Sequence, residues 1–265
     1  MRTLPVAAPR RALGQFFTAA PVARLAIAAV APVSAATRVL DPMCGDGAFL
    51  AAAQAAGITS LTGVEIDAVE AARAAQLHGA AITRGDALAP GLPARLGTFD
   101  LVIGNPPYVR AGHVDPDVRR ARAAAIAEDW PELPRELIDR VARHADVAAT
   151  CLLRALRFVR PGGSFALVVS TALLDADCAE ALWSAVARIA EVRALIIAPA
   201  ERWFADAAVN PMLVTGVARR NAPSSPRLLR LTAPTEVAAR EPGLDAIARH
   251  ADERRAEDAA HWGPA

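Results

Sequence analysis

An open α/β fold, with a mostly parallel sheet and helices on both faces, is predicted by three observations on this 265-residue chain. Short apolar runs alternate with alanine-rich stretches of helical length. The runs read as buried strands, and a glycine loop and several acids stand at their carboxyl ends. The strands are expected at 38–41 (RVLD), 61–66 (LTGVEI), 80–84 (AAITR), 99–104 (FDLVIG), 164–170 (SFALVVS), 192–198 (VRALIIA) and 211–218 (PMLVTGVA). Helices are expected between most of them, at 68–77, 146–159 and 179–189. This alternation predicts right-handed crossovers and a Rossmann-like, doubly wound sheet of seven strands.

Before the first strand, "PRRALGQFFTAAPVARLAIAAVAPVSAA" has a twin arginine, an apolar stretch and a small-residue end, a combination that mimics a secretion signal. Arg24 splits the apolar run, and cleavage near Ala36 would cut at the edge of the first strand. The stretch is read instead as a loop, LGQFFTA, followed by a helix whose apolar face carries Val22, Leu25, Ala26, Ala29 and Val30. No other apolar run is long enough to span a bilayer, so no membrane partner is expected.

At 54% apolar composition the chain can bury one large core, with a domain over 1–220 and a linker and short tail over 221–265, beginning with "NAPSSP". Cys44, Cys151 and Cys178 form no pair at metal-ligand spacing, which argues against a zinc site or disulfide framework and favours a reducing, cytoplasmic setting without a metal. Every basic residue is arginine, and the net charge of +1 gives no overall drive toward nucleic acid. Residues 1–40 nevertheless carry five arginines and no acid, a basic amino-terminal arm.

The first strand runs into "DPMCGDGAFL", 41–50. Gly45 and Gly47 allow a tight turn and a close backbone approach to a ligand, and the helix starting near Ala48 offers free backbone N–H groups. Glu65 ends the second strand 18 residues after Gly47, where doubly wound folds place an acid for ribose hydroxyls. Asp86, just past the third strand, can accept from an adenine amino group. With Asp41 and Asp46 these acids would repel a phosphate, so a nucleoside carrying an ammonium and a sulfonium fits the crevice: S-adenosylmethionine. Helix capping alone explains Asp46 or Asp67, but not four acids at strand ends.

The fourth strand stops in "GNPPYVR", 104–110. Two adjacent prolines can continue neither a helix nor a central strand, so the corner is rigid. Taken in order, "GQFFTAAPVARLA", "VLDPMCGDGAFL", "TGVEIDAVEAARA", "RGDAL" and "FDLVIGNPPYVR" resemble the gamma class of N6-adenine DNA methyltransferases of restriction-modification systems. "CLLRALRFVRPGGSFALVVSTALL" and "ERWFADAAVNPMLVTGVA" extend the resemblance to about residues 13–220. The Asn-Pro-Pro-Tyr corner by itself is shared with glutamine and some RNA methyltransferases; the upstream GQFFT element favours the DNA enzymes.

The resemblance implies a sheet with one antiparallel strand, and a division of labour among residues. Asp41, Gly45 and Gly47 would surround the methionine moiety of S-adenosylmethionine, Glu65 would bind its ribose, and Asp86 with the backbone of Ala87 its adenine. Phe17 and Thr18 would close over the cofactor, and Asn105 would border it. The side-chain oxygen of Asn105 and the carbonyl of Pro106, held rigid by Pro107, would accept from the target amine. That amine is a poor nucleophile because its lone pair is delocalised into the ring, and acceptors draw density back onto nitrogen. A base in duplex DNA must be flipped out to be reached, so an aromatic face is needed. Tyr108, the only tyrosine, would supply one and Phe204 the second, with Trp203 as a rival.

Residues 109–145 are long for a connection and carry Arg110, Arg119, Arg120 and Arg122, which read either as a phosphate-contacting loop or as a solvated helix face. His113 and His144 read as structural, and Trp130 as an anchor for the loop. In the gamma class a large carboxyl-terminal domain recognises the sequence, and only 45 residues follow Arg220. The expectation is a fragment, or a subunit whose partner recognises DNA, in a restriction-modification or phage-defence system. An enzyme acting on RNA or protein glutamine, and a non-catalytic cofactor-binding subunit, remain the alternatives.

Overall fold

The computed structural model describes residues 18–77, 79–108, 116–144, 147–175, 179–204, 209–221 and 225–255. The seven expected strands form within a residue or two of their expected ends, except that the fifth starts earlier: β1 (Arg38–Asp41), β2 (Ser60–Glu65), β3 (Ala80–Arg84), β4 (Phe99–Gly104), β5 (Val159–Ser170), β6 (Glu191–Ile197) and β7 (Pro211–Val217). The described residues add two more, β8 (Arg227–Leu231) and β9 (Ala251–Arg255), giving a nine-stranded sheet in the order 3-2-1-4-5-7-6-8-9.

The sheet thus differs from the expected seven strands, and the two additions come from the stretch expected to be linker and tail. β8 pairs parallel to β6 and β9 antiparallel to β8, so β9 joins β7 as a second antiparallel strand. The physical reason lies in β6: Val192, Ala194, Leu195 and Ile196 are all buried, and such a strand at an edge would leave one side's N–H and C=O groups unpaired. β8 was hard to see because "RLLRL" turns arginines outward. Arg227 is satisfied by Glu253 and Asp245, both at 2.7 Å.

Alternation along the central strands divides the core. Val39, Leu101, Ile103, Ala166 and Val168 face one layer, where α1 (Ala20–Ala29), α2 (Ala48–Ala55), α9 (Thr235–Ala238) and α10 (Leu244–Ala248) pack. Leu40, Val102, Phe165, Leu167 and Val169 face the other, covered by α5 (Pro116–Asp129), α6 (Arg135–His144), α7 (Val147–Arg157) and α8 (Ala179–Ile189). α3 (Ala68–Ala74) and α4 (Leu92–Leu96) flank the β3 side. The expected face of α1 is core, with Val22, Leu25 and Ala26 almost wholly enclosed. Trp130 donates its indole N–H to the Leu153 carbonyl at 3.1 Å and anchors the segment after α5 onto α7, as its sequence setting suggested. Among the described residues no helix is long and apolar enough to cross a membrane.

Candidate functional site

Parallel strands β1 to β4 end on the same side of the sheet, and each delivers one polar residue there. Asp41 and Glu65 are the last residues of β1 and β2, Asp86 lies two beyond β3, and Asn105 directly follows β4. This is the crevice at the carboxyl ends of strands where open α/β sheets bind ligands.

Asp41 is the most deeply enclosed of the four, at 1% exposure. Its Oδ1 accepts from the Met43 backbone N–H at 3.1 Å, while its buried Oδ2 has no hydrogen-bond partner among the described residues. Burial pushes this carboxyl up to about 8, with the nearby Glu65 and Asp46 carboxylates adding to the rise against the Met43 hydrogen bond. The neighbouring strand accommodates it by ending in glycine: a Cβ on Gly104 would stand 2.6 Å from Asp41 Oδ1. A cation placed against this oxygen would favour the ionised form of the acid.

Glu65, at 4% exposure, is also raised by burial, opposed by the two backbone donors that it binds. Its Oε2 accepts from Gly45 N–H at 2.8 Å and its Oε1 from Asp67 N–H at 2.7 Å. The side chain therefore pins the glycine loop to the start of α3 as well as facing the crevice. Gly47 sits at φ 92° as the residue before α2, and a side chain there would run into Ala74 and Leu77 of the α3 region. Cys44 is buried, and its thiol is pushed up by burial and by Asp41 and Glu65, which makes it inert.

The Asp86 loop is built from its own backbone. Asp86 Oδ1 accepts from Leu88 N–H at 2.8 Å, and Ala87 is buried. From below, the fully buried Arg154 of α7 donates to the Ala89 carbonyl at 3.0 Å and reaches the Leu88 carbonyl at 3.5 Å. Arg154 Nε lies 2.7 Å from Asp129 Oδ2 at the end of α5, a charge contact and not an aligned hydrogen bond. Sequence reading missed this pair, although an arginine inside the apolar "CLLRALRF" was a visible signal. It also missed Ile66 and Val69, which expose 39% and 59% of their surface immediately after Glu65 and offer an apolar ledge beside the acid.

At the corner, Asn105 and Tyr108 bind each other. The Tyr108 hydroxyl donates to Asn105 Oδ1 at 2.6 Å and lies 3.2 Å from the Val168 carbonyl. Asn105 Nδ2 donates to Thr18 Oγ1 at 3.2 Å, which fixes which way the amide faces. The Phe204 ring meets Tyr108 edge to face, with centroids 5.8 Å apart and planes at 63°. Phe204 is 3% exposed, and the adjoining Trp203, also 3% exposed, donates its indole N–H to Thr235 Oγ1 at 2.9 Å. Trp203 is thereby committed to the packing beneath the loop, and Phe204 is the aromatic that touches the corner. Pro106 and Pro107 hold the turn between Asn105 and Tyr108.

Several expected site residues are outside what the structure describes, and one is exposed on α5. Phe17 and Arg110 lie outside the described residues, as do Cys178 and His113. Arg119 and Arg122 lie on α5, and their side chains are likewise outside what is described. Arg120, on the same helix, is exposed and ion-paired with Asp117.

The protonation of Asp41 gives a direct test of the crevice. Its carboxyl is protonated below about pH 8 in the free chain, and a cation seated on Oδ2 favours the ionised form, so binding releases a proton. Titration of S-adenosylmethionine at pH 7 in buffers of different ionisation enthalpy should show release approaching one proton per site, falling through about pH 8 and nearly gone one unit higher. Asp41→Asn should abolish the release.

Fold and site together describe a class I methyltransferase architecture, in which acids and a rigid corner share the carboxyl edge of a doubly wound sheet. Residues 6–209 match the N-6 DNA Methylase family, and the chain belongs to that family. Solved structures share the backbone. A Vibrio vulnificus YJ016 chain described as a modification subunit of a type I restriction enzyme is 20% identical, with TM-score 0.61 over 83% of this chain and 48% of its own. A Listeria monocytogenes protein described as a class I S-adenosylmethionine-dependent methyltransferase is 20% identical, with TM-score 0.60 over 86% of this chain and 68% of its own. The M protein of the type I restriction enzyme EcoKI is 16% identical, with TM-score 0.62 over 83% of this chain and 50% of its own. This chain spans about half the length of the two restriction-enzyme subunits. No curated protein matches it.

Proposed function

We propose that the chain transfers a methyl group from S-adenosylmethionine to the N6 amine of adenine in DNA, as the modification component of a restriction-modification or phage-defence system. The observation that carries this reading is the Asn105–Tyr108 corner, set one residue past β4 and beside the acidic crevice. The cofactor fits the residues present: the unsatisfied, buried Asp41 Oδ2 suits its ammonium, and nothing stands within 4 Å of a Cβ at Gly45, so the loop leaves room. Glu65 suits the ribose because a carboxylate oxygen accepts more than one hydrogen bond, and Asp86 with Ala87 suits the adenine end. When bound, the cofactor supplies an electrophilic methyl group on a sulfonium.

The chain supplies the rest. Asn105 Oδ1 and the Pro106 carbonyl accept from the target amine and localise its lone pair as positive charge develops on nitrogen. Neither acts as a base: with a neutral thioether as leaving group, the methylated amine, strongly acidic while positively charged, would lose its proton to water, so no shifted pKa is needed at the corner. Tyr108 provides the stacking face, and Phe204 closes the opposite side. A base laid on Tyr108 displaces the ring-to-ring contact, and the stacking energy offsets that loss. Thr18, expected to close over the cofactor, serves in this reading to orient the Asn105 amide.

Two variants separate ring from hydroxyl. Tyr108→Phe keeps the stacking face and removes one donor to Asn105, so turnover should stay within about tenfold of the parent. Tyr108→Ala removes the face itself and should cost on the order of 100-fold in turnover, at about 1–3 kcal/mol per stacked base. The function itself is tested by labelled methyl transfer to DNA, tRNA and protein substrates, with a DNA-recognition partner from the same system supplied. Transfer to adenine in DNA supports the proposal; transfer only to protein or tRNA overturns it.

A further inference from the structure

We propose that Thr235, in the carboxyl-terminal segment, is a positioning residue that fixes the loop carrying Phe204, one wall of the target-base pocket. The inference rests on the reading of Tyr108 and Phe204 as that pocket, and it assigns a role to a stretch that the sequence left as tail.

That wall is carried by the loop over residues 201–204. Thr235 is 1% exposed, and its hydroxyl accepts the buried Trp203 indole N–H at 2.9 Å. Its backbone N–H donates to Glu201 Oε2 at 3.0 Å, a bond strengthened by the carboxylate charge. One residue thus grips the loop at both 201 and 203, and Phe204 follows directly. A buried indole N–H left without a partner forfeits its hydration with no return, so the hydroxyl decides where Trp203 can sit.

The same segment also holds α1. Glu236, next to Thr235, pairs with Arg24 of α1, and Gly243 N–H donates at 2.8 Å to the Ala28 carbonyl at the helix end, which also accepts from Ala31 N–H at 3.3 Å. The other end of α1 is preceded by Thr18, whose hydroxyl orients the Asn105 amide. The segment from α9 to α10 therefore ties the helix that steers Asn105 to the loop that carries Phe204. β8 and β9 set this segment against the sheet edge, which gives the two extra strands a purpose beyond covering β6.

Thr235→Val keeps the shape and burial of the side chain and deletes only the hydroxyl; Thr235→Ser keeps the hydroxyl. For Thr235→Val we expect turnover on saturating DNA to fall about tenfold or more through misplacement of Phe204, with S-adenosylmethionine affinity within about twofold. Peptides spanning 199–204 should exchange their amide hydrogens about tenfold faster, in line with a local opening made easier by one buried hydrogen bond. Thr235→Ser should restore both. Unchanged exchange at 199–204 overturns the proposal, as does a valine variant that loses cofactor affinity as much as turnover with no rescue by serine. If the parent protein methylates no adenine, the proposed function fails on its own, while the exchange result still decides whether Thr235 holds the loop.

Discussion

Asn105→Ala is expected to lower methyl transfer by on the order of 100- to 1000-fold, the cost of deleting one preorganised polar contact at a developing charge. Cofactor affinity should stay within about twofold. The two readouts separate because the Asn105 amide is held at the corner by Tyr108 and Thr18, while Glu65 holds the glycine loop. The small side chain also leaves the Tyr108 hydroxyl without its 2.6 Å partner, so the ring loses one restraint as well as the amine losing an acceptor. Measuring single-turnover rate and cofactor dissociation constant on the same preparation checks this. A variant that loses both equally would make Asn105 a structural residue of the β4 corner.

Glu65→Ala is expected to do the reverse. Its carboxylate holds Gly45 and Asp67 through two backbone hydrogen bonds, and removing it frees the glycine loop and the start of α3 together. At about 1–1.5 kcal/mol for each such bond, cofactor affinity should fall by roughly 30- to 150-fold even before any bond to the ligand is counted. The rate at saturating cofactor should change far less, because the corner that holds the amine is separately tied to Thr18 and Val168. Calorimetric titration with S-adenosylhomocysteine checks it. Because Glu65 is itself raised by burial, Glu65→Gln should retain more affinity than alanine, keeping one acceptor without the buried charge.

The doubly wound sheet was legible because central strands such as β1 and β4 are buried on both faces and glycines and acids stand at the strand ends, signals that depend on neighbours a few residues away. β3, whose residues are half-buried or exposed, was legible as a short run between helical stretches and not from burial. β8 and β9 were not legible: "RLLRL" and "ADERR" are charged, and what makes them strands is the edge of β6, about thirty residues upstream. The site divided in the same way. Asp41, Glu65, Asp86 and Asn105 could be read from motif and spacing, and the described structure brings all four to one edge of the sheet. The contacts that orient them could not be read, since Thr18 and Asn105 are 87 residues apart and Trp203 and Thr235 are 32 apart, with no periodicity linking either pair. Between Trp203 and Phe204 the resemblance favoured Phe204 with Trp203 as a rival; the indole N–H bonded to Thr235 and the Phe204 ring against Tyr108 show what each side chain touches.

The Asp41 geometry links the fold to the chemistry. A glycine at the end of β4 lets the acid approach, burial holds a proton on it, and a cation would replace that proton. The same crevice would disfavour a phosphate, which keeps the site for a nucleoside with a positively charged tail.

The most direct test is nucleoside analysis and modification mapping of host DNA from three otherwise identical strains: one with the intact gene, one with Asn105→Ala at the natural locus, and one with the gene deleted. The account predicts N6-methyladenine at a defined sequence in the first strain, and its loss in the other two. Identical adenine methylation in all three, with a methyl mark on RNA or protein that follows Asn105, would contradict it.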